Sequence, residues 1–246
     1  AMPVAAAPAR PLELATISRP TAFLGLGLVI GLLAAMYAIS IVLGLGWHIA
    51  SGGTELSSHA FGPLIAIDKW LNAAAALVTL LLFARYQRLH LREFGIHADQ
   101  ARRQAAWALA ALGGVYGALI VSAICTLALV ALLPGLQDDL SVRLKLLSLL
   151  SSGRFVSTIV LLVPVAIHEE IIFRGLLLLF LHRLGCRWSL AVLLSTLVFA
   201  SLHVSQGWLA IPQVFMVGLA LSRFFLWSRS LLAVMQNTLT LRPNET

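Results

Sequence analysis

Apolar runs long enough to cross a bilayer, separated by short polar breaks, organise this chain from end to end. Thr21 to Trp47 carries no charged residue. At roughly 20 apolar residues per crossing it predicts a membrane helix, and it exceeds the h-region of a cleaved signal peptide, about 7–15 residues. Gly, Ser and Thr between Ser51 and Ser58 break the pattern, and a second span follows from about Phe61 to Ala84, with Asp68 and Lys69 near its outer end. A third runs from Ala105 to Leu133. Pro134 to Arg154 reads as a mixed-charge connection holding a short interfacial helix, LSVRLKLLSLL. The fourth span is Phe155 to Leu181. Trp188 to Ser222 has no Asp, Glu, Lys or Arg but exceeds one crossing, and Ser205, Gln206 and Gly207 divide it into two. From Leu231 an apolar stretch turns polar within about ten residues, short for a crossing unless tilted or capped.

These runs predict an all-α, polytopic transmembrane helical bundle of about seven membrane helices, six to eight by this spacing. Residues 1–20 form an Ala- and Pro-rich tail without helical periodicity, 21–133 the N-terminal transmembrane helices, 134–154 the connecting segment, and 155–246 the helices with the charged motifs. Composition agrees: 60% of the 246 residues are hydrophobic and the mean hydropathy is +0.94, more apolar than one soluble core can hide. The net charge of +7 sits at the ends of apolar runs rather than along one stripe, which argues against a nucleic-acid partner. Arg85, Arg88, Arg92, Arg102 and Arg103 face only Glu93 and Asp99 in one loop. The positive-inside rule puts that loop in the cytoplasm, and Arg183, Arg187, Arg223 and Arg229 then fall on the same side. The expectation is a multi-pass cell (inner) membrane protein with a cytoplasmic N-terminus. Cys125 and Cys186 lie far apart and indicate neither a disulfide framework nor a thiolate zinc site.

Chemistry enters with HEEIIFRG, His168 to Gly175, which sets two carboxylates and a guanidinium in the middle of the fourth span. A charge at a helix centre costs about 2.5–3.5 kcal/mol on insertion scales, so each needs a reason to be there. Spacing i, i+4 puts Glu170 beside Arg174 on one face. Glu169, rotated by about 100°, has no partner on its own helix and must face the bundle or a wet cavity, the mark of a functional group. FASLH then places Phe199 and His203 on one face of the fifth span. At about 1.5 Å per residue, Glu169 and His203 both lie roughly 18–21 Å from the Arg-rich ends, and so can meet. A carboxylate that takes a proton from water, beside an imidazole that donates a hydrogen bond or binds a metal, is a hydrolytic pair. His168 is expected to point away from Glu169, and with no histidine four residues on, the H-E-x-x-H zinc pattern is absent. His90, His97 and His182 read as surface residues, and Phe215, Met216, Phe224 and Phe225 as packing or lipid-facing bulk.

Glu169-Glu170-x-x-x-Arg174 on one span and Phe199-x-x-x-His203 on the next resemble the CAAX prenyl protease and bacteriocin-processing family of intramembrane endopeptidases, from about Phe155 to Asn237. The resemblance makes 155–246 the catalytic helices and implies cleavage of membrane-associated peptides or proteins, with lipid as the surrounding partner. Glu169 would activate water, and His203 would stabilise the oxyanion or hold a metal. Glu170 and Arg174 would orient and balance the first carboxylate. The family's third motif, His-x-x-x-Asn or His-x-x-x-Asp, meets SRSLLAVMQNTLT, which has no histidine. Asn237 either fills the Asn position, leaving Ala233 where the histidine is expected, or replaces that histidine in a shifted register. A divalent metal such as zinc, if held, would take Glu169 and His203 as ligands; a metal-free, glutamate-driven mechanism is the other reading. Two non-peptidase readings compete: an inactive homologue acting as a membrane scaffold or immunity protein, and a proton-coupled transporter, against which no inverted repeat is found.

Overall fold

The computed structural model describes residues 17–50, 58–96, 101–141, 155–231 and 234–235. All regular structure among them is helical: α1 (Arg19–Ala50), α2 (Ser58–Tyr86), α3 (Ala101–Leu132), α4 (Phe155–Glu169), α5 (Leu178–Arg183), α6 (Trp188–Ser201) and α7 (Ala210–Ser228). A π-helical stretch, Glu170–Leu177, joins α4 to α5 without a break, so the fourth expected span is one rod of three helical parts. The first four spans end within about a turn of where hydropathy puts them.

α1, Leu64–Tyr86 of α2, Gly113–Leu132 of α3, and α7 are each long and apolar enough to cross a membrane, and the rod from Phe155 to Arg183 has the length as well. α6 does not: 14 residues reach about 21 Å, against a hydrocarbon core of about 30 Å. The polar Ser205–Gly207 break coincides with a turn, Val204–Gln206, between α6 and α7. Of the apolar stretch that begins at Leu231, only Leu231, Val234 and Met235 fall among the described residues; most of the tail and the expected interfacial helix lie outside them.

The rod is apolar on nearly all sides, as a fully surrounded helix must be, and every residue from Glu170 to Phe180 is buried. α2 runs along α4, α1 lies against α2 and α5, and α6 and α7 close the other flank, with α3 outside α7. There the amide of Gln213 donates to Thr126 Oγ1 at 3.1 Å. Without a hydrophobic drive between helices in lipid, small residues set how near backbones come. Gly25 shows it: a Cβ there would sit 2.5 Å from Cζ of Phe180. The same ring meets Phe83 of α2 edge-on, centroids 4.9 Å apart. At the Arg-rich end, Phe94 tucks in beside Phe83, and Gly95, at φ +78°, accepts from the backbone N–H of Leu231 at 2.9 Å. Outward faces carry Phe23, Leu24, Leu28, Ile120 and Leu127, all exposed, as a lipid-facing surface is.

Asp68 and Lys69 do not mark a helix boundary. α2 begins ten residues earlier, at Ser58, and carries both charges inside it. Asp68 is buried because it accepts from Ser40 Oγ of α1 and from Lys69 Nζ, each at 2.8 Å, so a satisfied carboxylate is tolerated within the span.

Gly25→Ala should lower stability by about 1–3 kcal/mol through overpacking against Phe180. Gly27→Ala, where a Cβ would meet nothing within 4 Å, should change it by less than about 0.5 kcal/mol. Thermal unfolding in detergent compares the two.

Candidate active site

The charged motif begins where the α-helix ends. Pro164 inside α4 has no N–H to give the ladder, and the Nδ1–H of His168 donates to its carbonyl at 3.0 Å, which commits His168 to the backbone rather than to its acidic neighbour. From Glu170 the backbone widens to the π form, a rare local geometry that concentrates at functional sites. Arg174 Nη1 donates to Glu170 Oε1 at 2.9 Å, with side chains 1% and 0% exposed. Arg174 reaches further: Nη2 approaches the carbonyl of Gly218 on α7 at 3.5 Å, and the guanidinium lies 4.8 Å over the ring of Phe199 on α6. Gly218 is what lets α7 come so near, since a Cβ there would stand 2.8 Å from Thr196 Cγ2 and 3.1 Å from Phe199. Ser195 Oγ ties the same flank to the rod by donating to the carbonyl of Phe173 at 3.0 Å.

Phe199 passes this order on to His203. Its ring packs edge-on against Phe173 at 5.0 Å and against the His203 imidazole at 4.7 Å. His203 itself lies past the end of α6, not on the helix as the sequence suggests. α6 stops at Ser201, and the N–H of His203 bonds the carbonyl of Ala200 in a tightened exit turn. The i, i+4 relation survives, because His203 Nδ1 sits 2.8 Å from the carbonyl of Phe199. A carbonyl only accepts, so Nδ1 carries the proton and Nε2 is the nitrogen left to face outward. Nε2 lies 3.7 Å from Glu169 Oε1, with side chains 17% and 16% exposed. That separation is less than two hydrogen bonds of about 2.8 Å end to end, so one water oxygen can touch both groups.

Beyond α6, the carboxylate of Asp139 accepts from the backbone N–H groups of Trp208 and Leu209 at 3.0 and 2.7 Å, fixing the turn between His203 and α7. Tyr37 of α1 donates to the carbonyl of Leu202 at 3.1 Å, one residue before His203. Sequence reasoning missed Tyr37, Asp139 and Gly218; each acts through tertiary contacts that spacing along one helix does not reveal. His182 is stacked on Trp188, centroids 3.6 Å apart, while His90 is exposed. His97, Ala233 and Asn237 lie outside the described residues.

No group of three or more His, Cys, Asp or Glu residues placed to hold a metal occurs among the described residues. Glu169 and His203 are two donors, one short of the three that a catalytic zinc takes from protein. The described residues do not make up such a site.

Fold and site together define a polytopic helical membrane protein with an acid–histidine pair set between a buried rod and its neighbouring helix. Residues 151–236 match the family model for the type II CAAX prenyl endopeptidase, Rce1-like. That segment holds both motifs but none of α1 to α3, and the match supports the resemblance to the CAAX prenyl protease and bacteriocin-processing family over that third of the chain. No curated protein and no solved structure matches the chain.

Arg174→Met should remove the guanidinium partner of the buried Glu170, costing about 3–5 kcal/mol. The double replacement Glu170→Leu with Arg174→Met should recover most of that loss. Denaturant titration of the purified protein in detergent measures both.

Proposed function

We propose that the protein is an intramembrane endopeptidase that hydrolyses peptide bonds of membrane-associated peptides or proteins, with Glu169 as general base and His203 as oxyanion donor. The observation that supports this most is the 3.7 Å approach of Glu169 Oε1 to His203 Nε2, both partly open, beside a second glutamate that is sealed and neutralised by Arg174. The Rce1-like match supports a protease. An amide resists water, so catalysis needs an activated nucleophile and a stabilised tetrahedral anion. Water bound by Glu169 attacks the scissile carbonyl carbon and gives its proton to the carboxylate. His203 Nε2, when protonated, donates to the oxygen that becomes negative. Its Nδ1, held by the Phe199 carbonyl, keeps the ring in this orientation. The intermediate collapses as Glu169 returns the proton to the leaving nitrogen and the C–N bond breaks, giving a carboxylic acid and an amine. The Arg-rich ends of the helices face the cytoplasm in this reading.

Glu169→Gln keeps the shape and removes the base. It should reduce cleavage of a prenylated CAAX-type peptide in proteoliposomes by at least about 10²-fold, with the unfolding temperature unchanged. Undiminished cleavage by Glu169→Gln removes Glu169 from the mechanism. A folded wild-type chain that binds the peptide and releases no product favours the scaffold reading.

A further inference from the structure

The donors already placed around the Glu169–His203 pair are committed. His203 Nδ1 faces the Phe199 carbonyl, Arg174 is sealed on Glu170 and the Gly218 carbonyl, and the Tyr37 hydroxyl is held by Leu202. Among the described residues, these side chains leave a developing oxyanion facing His203 one N–H, where such sites commonly converge two. α2 supplies a further amide. Asn72 is 5% exposed, and its side chain makes no hydrogen bond among the described residues. Its amide is not among the fully sealed unpaired polar atoms, so it keeps an accessible edge, as a donor that meets a later ligand must.

Register brings Asn72 to the site. Phe180 of the rod touches both Gly25 of α1 and Phe83 of α2, which fixes one common level. Counting 15 residues away from the Arg-rich end reaches Ser40 on α1 and Asp68 on α2, and these two are hydrogen-bonded at 2.8 Å, so the two helices keep step. Counting 11 residues reaches Asn72 from Phe83 and Glu169 from Phe180, each about 16 Å along at helical rise. The wider π turn draws Glu169 back by less than one turn. Tyr37, 12 residues from Gly25, lies at the same level and touches the residue before His203. Direction agrees with depth. Eleven residues are close to three turns, so Asn72 leaves α2 on the face that Phe83 turns to the rod.

We propose that Asn72 is a further catalytic residue of this site: its side-chain N–H donates to the scissile carbonyl oxygen of the substrate from the α2 side, opposite His203. The assignment rests on the hydrolytic reading of Glu169. α1 and α2, which the family match does not cover, would thus form a wall of the chamber and not only a lipid-facing jacket.

Two measurements on the full chain test it. First, in a background with Cys125 and Cys186 replaced by Ser, Asn72→Cys paired with His203→Cys should cross-link with a short bis-thiosulfonate, while Leu71→Cys, on an exposed face, paired with His203→Cys should not. Absence of the Asn72 cross-link when Glu169→Cys with His203→Cys does cross-link overturns the placement. Second, on the prenylated CAAX-type peptide, Asn72→Ala and Asn72→Asp should lower kcat by about 10²- to 10³-fold with KM little changed, the loss typical of one oxyanion donor. Full turnover by a folded Asn72→Ala protein overturns the donor role, whatever the cross-link shows. Glu169→Gln separates the two levels. If it stays active, or the wild type is inert, the hydrolytic reading fails and the donor role falls with it; if it is dead while Asn72→Ala is fast, only the Asn72 assignment falls.

Discussion

A guanidinium and a carboxylate, both sealed from solvent at the centre of a hydrocarbon-facing bundle, set the arrangement on which the rest depends. Each ion alone costs several kcal/mol to bury, and their attraction offsets this only with good geometry and additional partners. Arg174 has them: Glu170 on its own rod, the Gly218 carbonyl on α7, and the face of Phe199 on α6. One cation therefore holds three elements in one relative position. Apolar packing alone would tolerate small slides between them. The pair's contribution is to the uniqueness of the arrangement more than to stability, and Phe199, pinned beneath the cation, hands that uniqueness to His203.

Widening of the backbone at Glu170 is the second constraint. Two adjacent glutamates on any helix diverge, but here their environments separate fully: one is 0% exposed and paired, the other 16% exposed and 3.7 Å from an imidazole. Glu169 closes the α-helical part of the rod and Glu170 opens the π part. All eight residues of the π stretch are buried, Gly175 included, so the rod is gripped over its whole circumference just beyond Glu169. A site so supported moves little when a substrate arrives, which is what directed donors need in order to act on a transition state.

Much of this is legible in the chain. Lengths of uncharged sequence locate the spans because a bilayer of fixed thickness leaves little freedom, and the pairing of Glu170 with Arg174 is legible because residues four apart stay neighbours in both α and π turns. The π form itself is not. Ile171, Ile172 and Phe173 fit either geometry, and the choice is made by what packs around the rod. FASLH reads as helix because it is as apolar as its surroundings; the turn at His203 is imposed afterwards, by the polar break before Gly207 and by Asp139 reaching across from another segment. Asp68 and Lys69 blur the outer end of the second span because a lone carboxylate is costly there, and Ser40, 28 positions earlier in the chain, supplies the partner that lets the helix run through it.

Exposure then decides which carboxylate can do chemistry. Glu170 cannot meet a substrate, since every path to it runs through packed side chains, whereas Glu169 and His203 both keep an open edge. In a bundle, an open edge at mid-depth must adjoin either lipid or a polar chamber, and a carboxylate edge facing lipid tails would be driven out of the fold. The rod and α6 cover only the sides from which Glu169 and His203 themselves project. Something else must bound the remaining space, and helices kept in step with the rod by Phe180, presenting Tyr37 and Asn72 at the level of Glu169, are placed to do so. In the proposed reading, the helices outside the family match take part in the site by the same logic that keeps its charges in the membrane: a polar surface in oil persists only where other polar surfaces enclose it.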